Sequence, residues 1–442
     1  MEYKVETLIF DHGERYPILM GSDGMPHFYT TLWVTTKLRS SMAVNTMVNR
    51  LGALKWLFKW EEDQERDFYS EFQKGQFLSD KDIENIKSHL AMDVARIKGI
   101  SKKKNIRNKV VSIDDAISGI EITPTVGRNH HYNRMTSVAE YLDFIAKVAV
   151  QSQNNEKLTR SIKSMTKRFK AHRPKGKGKN VIDNHDGKTL TDGLVKEFLE
   201  VAHYDSPLNP FKHEVTKRRN HLMFLLLKEL GLRRGELLSL TINNGHMRLV
   251  GDKPYIWVRR EHDSEFDPRK AQPVAKTKER MLRIKKDVAI LIDEYICKYR
   301  FNTPNANKHP FLFVTHHKCT TQGQPISVST FDTVIIPMMK RVDPKFDDIY
   351  AHYFRHDWNE VFSKKVDAIN ELADAGSTEH KRIEPEKESK MRQHSLGHSS
   401  EKSHAVYNRR HVKKRANEVA LEEQEELERK VKELKNKEGN GS

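Results

Sequence analysis

The stretch LLLKELGLRRGELLSLTINN, residues 225–244, decides how the chain is read. Leu226, Leu227 and Leu230 form an apolar stripe at helical spacing. Gly231 then stands where a helix should stop, because glycine enters the left-handed conformation that ends helices at little cost. Arg233, Arg234, Gly235, Glu236, Leu237 and Leu238 follow, which sets Arg233 and Glu236 on one face of a new helical turn. A charged pair between leucine runs has two readings: a capping arginine with a surface ion pair, or a guanidinium held rigid for chemistry. The last quarter of the chain favours the second.

There, AHYFRHDW (351–358) puts His352 and Arg355 one turn apart, and LGHSSEKSHAVY (396–407) puts His398 shortly before Tyr407. Arginine, His-x-x-Arg, Leu-Gly-His and tyrosine in that order resemble the tyrosine recombinases, the phage-integrase family of site-specific DNA recombinases. The resemblance runs over residues 188–411. It implies a mainly α fold with a small antiparallel β-sheet (α+β), in which a helical core-binding domain and a tyrosine-recombinase catalytic domain form a C-shaped clamp on DNA.

Composition agrees with a polyanionic partner. The 442 residues suffice for two or three domains with their own cores. Lys and Arg total 78 against 61 Asp and Glu, a formal charge of +17, a balance shared by nucleic-acid and membrane-surface binders. Neither an apolar run long enough to span a bilayer nor a charged-then-apolar leader stands out, so a soluble protein of the cytoplasm, associated with a bacterial nucleoid and not with a membrane, is expected. Cys297 and Cys319 lack the spacing of a zinc site or disulfide framework and read as ordinary thiols.

Residues 1–35 mix short apolar runs with Gly and Pro, which suggests small strands or an arm. Residues 36–156 read as a helical core-binding domain: one helix from Leu38 to Trp60, a second capped by Ser79 with Ile83, Ile86 and Leu90 on one face, a basic loop at 101–109, and a third over 138–150. Residues 157–187 are a basic linker. Its stretch 157–179 holds ten Lys or Arg and no acid, and Lys157, Arg160, Lys163 and Lys167 recur at helical steps, with Arg168, Lys170, Arg173 and Lys175 beside them. A solvated linker and a cationic face laid along phosphates both fit; the second suits a connection that must cross a duplex. Residues 188–411 hold the catalytic domain. It opens with a helix capped by Thr189 or Thr191, and a second follows from about Glu214 to Leu230. Strand-like runs at 247–250, 254–260 and 275–284 come next, then helices near 286–300, 327–341 and from 351. Residues 412–442 form a charged tail, helical from about Ala416 to Leu434.

The chemistry follows from storing a cleaved phosphodiester as an ester. A tyrosine hydroxyl can form one by in-line attack. With a pKa near 10, only about one phenol in a thousand is ionised at neutral pH, a handicap of roughly 4 kcal/mol. The resemblance assigns this role to Tyr407. The charge on the non-bridging oxygens suits guanidinium groups, and the resemblance selects Arg233, directly after Gly-Leu, together with Arg355. His352 would take or orient the tyrosine proton, His398 would bind a phosphate oxygen, and Lys276 would protonate the leaving 5′-oxygen, with Lys278 the alternative. Glu236 would steady Arg233, and His356 would buttress the site. Arg280 reads as structural or phosphate-binding. No acidic pair is spaced for divalent ions and no phosphate-cradling glycine loop occurs, so neither metal nor cofactor is expected.

Residues 356–397 make a longer connection between Arg355 and His398 than the family commonly has, and read as a surface insertion over 364–392. For the tail the resemblance implies a helix docking on a neighbouring protomer, and a free charged helix is the other reading. The resulting expectation is an integrase that cuts and rejoins double-stranded DNA at a specific recombination site. It would work through a 3′-phosphotyrosyl intermediate and a Holliday junction, as a homotetramer on two duplexes. It would serve a mobile genetic element, with a DNA-bending accessory protein as a further candidate partner. The alternatives are a type IB topoisomerase-like enzyme and a non-catalytic DNA-binding protein on the same fold.

Overall fold

The computed structural model describes residues 3–21, 23–93, 124–153, 155–175, 193–243, 245–397 and 419–430. The basic loop at 101–109, the linker from 176 onward, His398 and Tyr407 lie outside them. The chain divides into two compact units, Met1–Asn184 and His185–Ser442. Each has its own apolar core.

Unit 1 begins with a two-stranded antiparallel hairpin, β1 (Lys4–Ile9) and β2 (Arg15–Met20). Then come α1 (Phe28–Trp33), α2 (Val44–Asp63), α3 (Phe68–Gln73), α4 (Asp80–Ala91), α5 (Arg128–Val150) and α6 (Glu156–Ala171). The helix expected from Leu38 starts instead at Val44. Leu38 ends a π-helical extension of α1, and its carbonyl accepts from Ser41 and Met42 before the chain restarts. Ser79 caps α4 in a reciprocal box with Asp82, as the sequence suggests. Leu19 of β2 is fully buried in the same core as α2 and α5, so the residues read as an arm contribute to the unit. Helix α6 lies within the stretch read as linker, and Ile162, Met165 and Phe169 bury one of its faces in that core.

Unit 2 opens with α7 (Leu194–Ala202), whose N-cap is Gly193 rather than either threonine proposed from sequence. Helix α8 (Glu214–Leu230) ends at Gly231 in the left-handed conformation, φ 58°, and the short α9 (Arg234–Leu238) follows. Strands β3 (Met247–Arg248), β4 (Tyr255–Val258) and β5 (Arg280–Arg283) form an antiparallel meander in that order. Helix α10 (Lys286–Glu294) continues through a π-helical turn to Arg300. The long α11 (Ala351–Asp374) and α12 (Pro385–Leu396) close the described part of the domain, so the expected insertion is a helical hairpin. The fold is thus mainly α with small antiparallel sheets. Phe198 of α7 meets Phe224 of α8, Phe346 and Phe354 of α11 edge-on, with centroids 4.9, 5.1 and 5.5 Å away. That aromatic cluster fixes the start of α11, where His352 and Arg355 stand. Residues 419–430 are helical and exposed, with Lys430 2.9 Å from Glu426.

Candidate active site

Gly231 is the first fixed point. A Cβ there would come within 3.0 Å of the Trp358 ring and 3.2 Å of Leu396. Glycine is therefore required by both backbone conformation and space. The Trp358 indole also donates to the carbonyl of Glu229 at 3.2 Å. Helix α11 is thereby pressed against the end of α8, next to the Leu232–Arg233 step.

Glu236 is the second fixed point, and it is fully buried. Its carboxylate accepts from the Arg233 backbone N–H at 3.1 Å, the Thr277 hydroxyl at 2.6 Å and Arg280 Nη2 at 2.8 Å. Arg233 Nη1 lies 3.5 Å away and Arg355 Nη1 4.0 Å away. Burial alone would raise this carboxyl, but Arg280, Arg355 and the Thr277 hydroxyl outweigh it and hold the group below the usual carboxylate range. One anion thus serves three guanidinium groups drawn from α9, the sheet and α11.

Arg355 has no exposed surface. Its Nη1 donates to Gly231 O at 2.8 Å and its Nη2 to Leu396 O at 2.7 Å. This guanidinium ties the end of α8 to the end of α12. Arg233 is different: its side chain is 28% exposed, and Nη1 has no hydrogen-bond acceptor among the described residues. Of the two arginines singled out from the sequence, Arg233 is therefore the one whose side chain reaches solvent.

Lys276 and Lys278 are both exposed and flank the buried Thr277. Because Thr277 points inward to Glu236, the hydroxyl anchors the lysine-bearing segment directly. Two further hydrogen bonds and one close backbone approach hold it. Lys278 N donates to Gly397 O at 3.0 Å, Arg280 Nε donates to Ser395 O at 2.8 Å, and Val274 O lies 2.9 Å from where a Cβ on Gly235 would be. Upstream in the same loop, Arg269 is paired with buried Asp267 and donates to Leu238 O and Ile326 O. The polar interval before the lysines is therefore pinned onto α9.

His352 is pushed down to about 4 by burial, then by Arg355 and Arg233, and so is neutral at neutral pH and able to accept a proton. His356 stacks edge-on against it at 4.7 Å. Sequence reasoning missed Thr277 and Arg269. A threonine between two exposed lysines in an extended segment must face the other way, and that alternation was the available signal.

The structure therefore brings Arg233, Glu236, His352, Arg355 and the Lys276 segment into one neighbourhood of unit 2. His398 follows directly on Gly397, whose carbonyl belongs to that neighbourhood, but itself lies outside the described residues, as does Tyr407. Of the cationic residues singled out in the linker, Lys157, Arg160, Lys163, Lys167 and Lys175 are exposed. Arg160 pairs with Glu156 at 2.9 Å, and Lys170 is half-buried. Arg168 instead bonds Asp80 and Leu78 O, and Arg173 stacks on Tyr132 and donates to Thr136, so these two serve the packing of unit 1. Among the described residues no cluster of His, Cys, Asp or Glu could hold a metal ion, and no helix is long and apolar enough to cross a membrane.

Residues 188–384 match the model of the phage integrase family. That stretch is similar to the phage integrase family. The matched residues carry Arg233, Glu236, Lys276, His352 and Arg355, and end before Leu396-Gly397-His398 and Tyr407. No curated relative matches the chain. Among solved structures, a XerH site-specific recombinase bound to palindromic difH substrate in a post-cleavage complex aligns over 89% of this chain and 93% of its own, at 15% identity and a TM-score of 0.40. XerH in a pre-cleavage complex with difH aligns over 86% and 89%, at 15% identity and a TM-score of 0.37. Likeness at that level carries no argument about this chain, and the similarity that bears on it is that of residues 188–384.

Proposed function

We propose that this chain is a site-specific DNA recombinase that breaks and rejoins strands through a covalent link to Tyr407. The observation that carries the reading is the convergence of Arg233, Arg355 and the Lys276 segment on the buried Glu236 carboxylate, with His352 beside the two arginines. A preorganised cluster of guanidinium donors is what a phosphoryl-transfer transition state needs, because its charge then develops against fixed dipoles.

In the proposed step the Tyr407 oxygen bonds to the scissile phosphorus while the bond to the 5′-oxygen breaks. The phenolic proton passes to neutral His352, and Lys276 supplies the proton that completes the 5′-hydroxyl. Arg233 lies against the non-bridging oxygens with His398 adding a donor, and the buried Arg355, whose Nη1 and Nη2 are given to Gly231 O and Leu396 O, contributes its charge from behind. Rejoining reverses each transfer with a 5′-hydroxyl from another strand as nucleophile. The phosphodiester is conserved throughout as an ester, so strand exchange on two duplexes held by four protomers needs no external energy.

The exposed face of α6 in unit 1 would supply sequence-independent grip on phosphates from Lys157, Arg160, Lys163 and Lys167. The test is covalent capture. The full chain is incubated with genomic DNA from the organism that carries its gene, denatured, and recovered with any attached DNA. The expected result is adducts at one sequence class, absent from Tyr407→Phe; no adduct, or an adduct retained in that variant, would overturn the reading.

A further inference from the structure

Outside that machinery, Arg392, on the last turns of α12, is fully buried, and apart from Leu396 the other residues of that helix are half-buried or exposed. Its Nη1 donates to Asn359 O at 3.2 Å and Asn359 Oδ1 at 3.0 Å, its Nη2 donates to Ser363 Oγ at 3.0 Å, and it pairs with Glu388. The guanidinium also lies over the Phe362 ring, 4.8 Å from its centroid.

Asn359 relays this contact, because its Nδ2 donates to the backbone carbonyl of Arg355 at 3.0 Å. Arg355, Asn359 and Ser363 fall at successive turns of α11 and face α12 as a polar stripe. On the other side, Ser395, Leu396 and Gly397 close α12 and present carbonyls that a helix leaves unsatisfied. Each has a partner in the active site: Arg280 Nε on Ser395 O, Arg355 Nη2 on Leu396 O, and Lys278 N on Gly397 O. The acceptor that orients Arg355 is thus carried by a helix that this buried arginine, one turn away, ties to α11. A long hairpin separates the two helices in sequence, and a clamp at its base keeps that length from loosening their register.

We propose that Arg392 is a positioning residue for the strand-cleavage step, setting the Leu396 carbonyl and hence the guanidinium of Arg355; this rests on the recombinase reading above. It touches no DNA. The alternative is that Arg392 only stabilises the hairpin, which would leave the chemical step unchanged in any variant that folds.

The test compares rates of adduct formation on the duplex recovered by covalent capture. The repacked variant Arg392→Met/Asn359→Ala/Ser363→Ala removes the donors and acceptors together, so no buried polar group is stranded. Two versions of the duplex are used, one with the natural 5′-oxygen and one with sulfur in its place, which leaves without a proton donor. The variant should melt cooperatively, shift DNA in a gel like wild type, and cleave at least about tenfold more slowly on both duplexes. Lys276→Ala should be slow only on the oxygen duplex. If the triple variant does not melt cooperatively, Arg392→Lys, which keeps the charge beside Glu388, is read in the same way. A folded variant that cleaves at the wild-type rate would overturn the proposal, and so would a defect erased by sulfur, since that would place the fault with the proton donor. Failure of wild type to form any adduct would instead count against the recombinase reading.

Discussion

Removing the carboxylate of Glu236 would leave Arg280 and Arg355 buried beside each other without a counter-charge. Breaking a buried ionic set from one side costs roughly 3–5 kcal/mol. Glu236→Leu is therefore expected to lower unfolding free energy by about that much, read from denaturant melts, and a loss below about 1 kcal/mol would show that the set is solvated. Gly231→Ala meets two penalties at one atom, the left-handed conformation and the Trp358 ring 3.0 Å away. It should cost about 2 kcal/mol or more, with Arg355 displaced because Gly231 supplies one of its acceptors. A melt unchanged from wild type would contradict that packing.

Helix α6 carries a prediction of its own. Ile162, Met165 and Phe169 bury one face, leaving Lys157, Lys163 and Lys167 exposed. If that face follows phosphates, Lys157→Gln/Lys163→Gln/Lys167→Gln should weaken binding to all duplexes alike. It should also flatten the slope of log affinity against log salt by about 1 for each lysine that no longer neutralises a phosphate. A slope equal to wild type would assign the face to solvent. Elements such as α8 and the strands of unit 2 were legible in the sequence because each depends on local periodicity and a stop signal, as Gly231 shows for α8, whereas α6 lay in a stretch read as linker. The start of α2 was not, since the residues before Val44 continue an apolar pattern and only the backbone closure at Leu38 breaks it. Arg233, Glu236, His352 and Arg355 were singled out because they occupy short motifs. Arg392, Asn359 and Ser363 carried no such mark: their meaning lies in the pairing of α11 with α12, which spacing along one helix does not encode.

For the whole molecule, unit 2 should be sensitive to acid. Burial and neighbouring cations push His221 and His352 down to about 4 and His316 to about 3. Each is below its unfolded value near 6.5, so the stability these neutral rings contribute is complete above that pH and is lost as pH falls toward their folded values. The lowered carboxyls of Glu229, Glu236 and Glu294 act in the same direction at lower pH. Unfolding midpoints for unit 2 should hold between pH 7 and 8 and fall from pH 6.5 to pH 4; a midpoint that rises on acidification would contradict the burial of these histidines. The net charge of +17 should make association with DNA steeply salt-dependent at any pH in that range.

If the guanidinium cluster around Glu236 serves a tyrosine that becomes esterified to DNA, the bond itself can be read. The most direct measurement is to digest the captured adduct with trypsin and nuclease and sequence the modified peptide by mass spectrometry. The expected product is a nucleotide joined through its 3′-phosphate to Tyr407, with a free 5′-hydroxyl on the other DNA end. A nucleotide on any other residue, or a link through the 5′-phosphate, would contradict that role for the cluster.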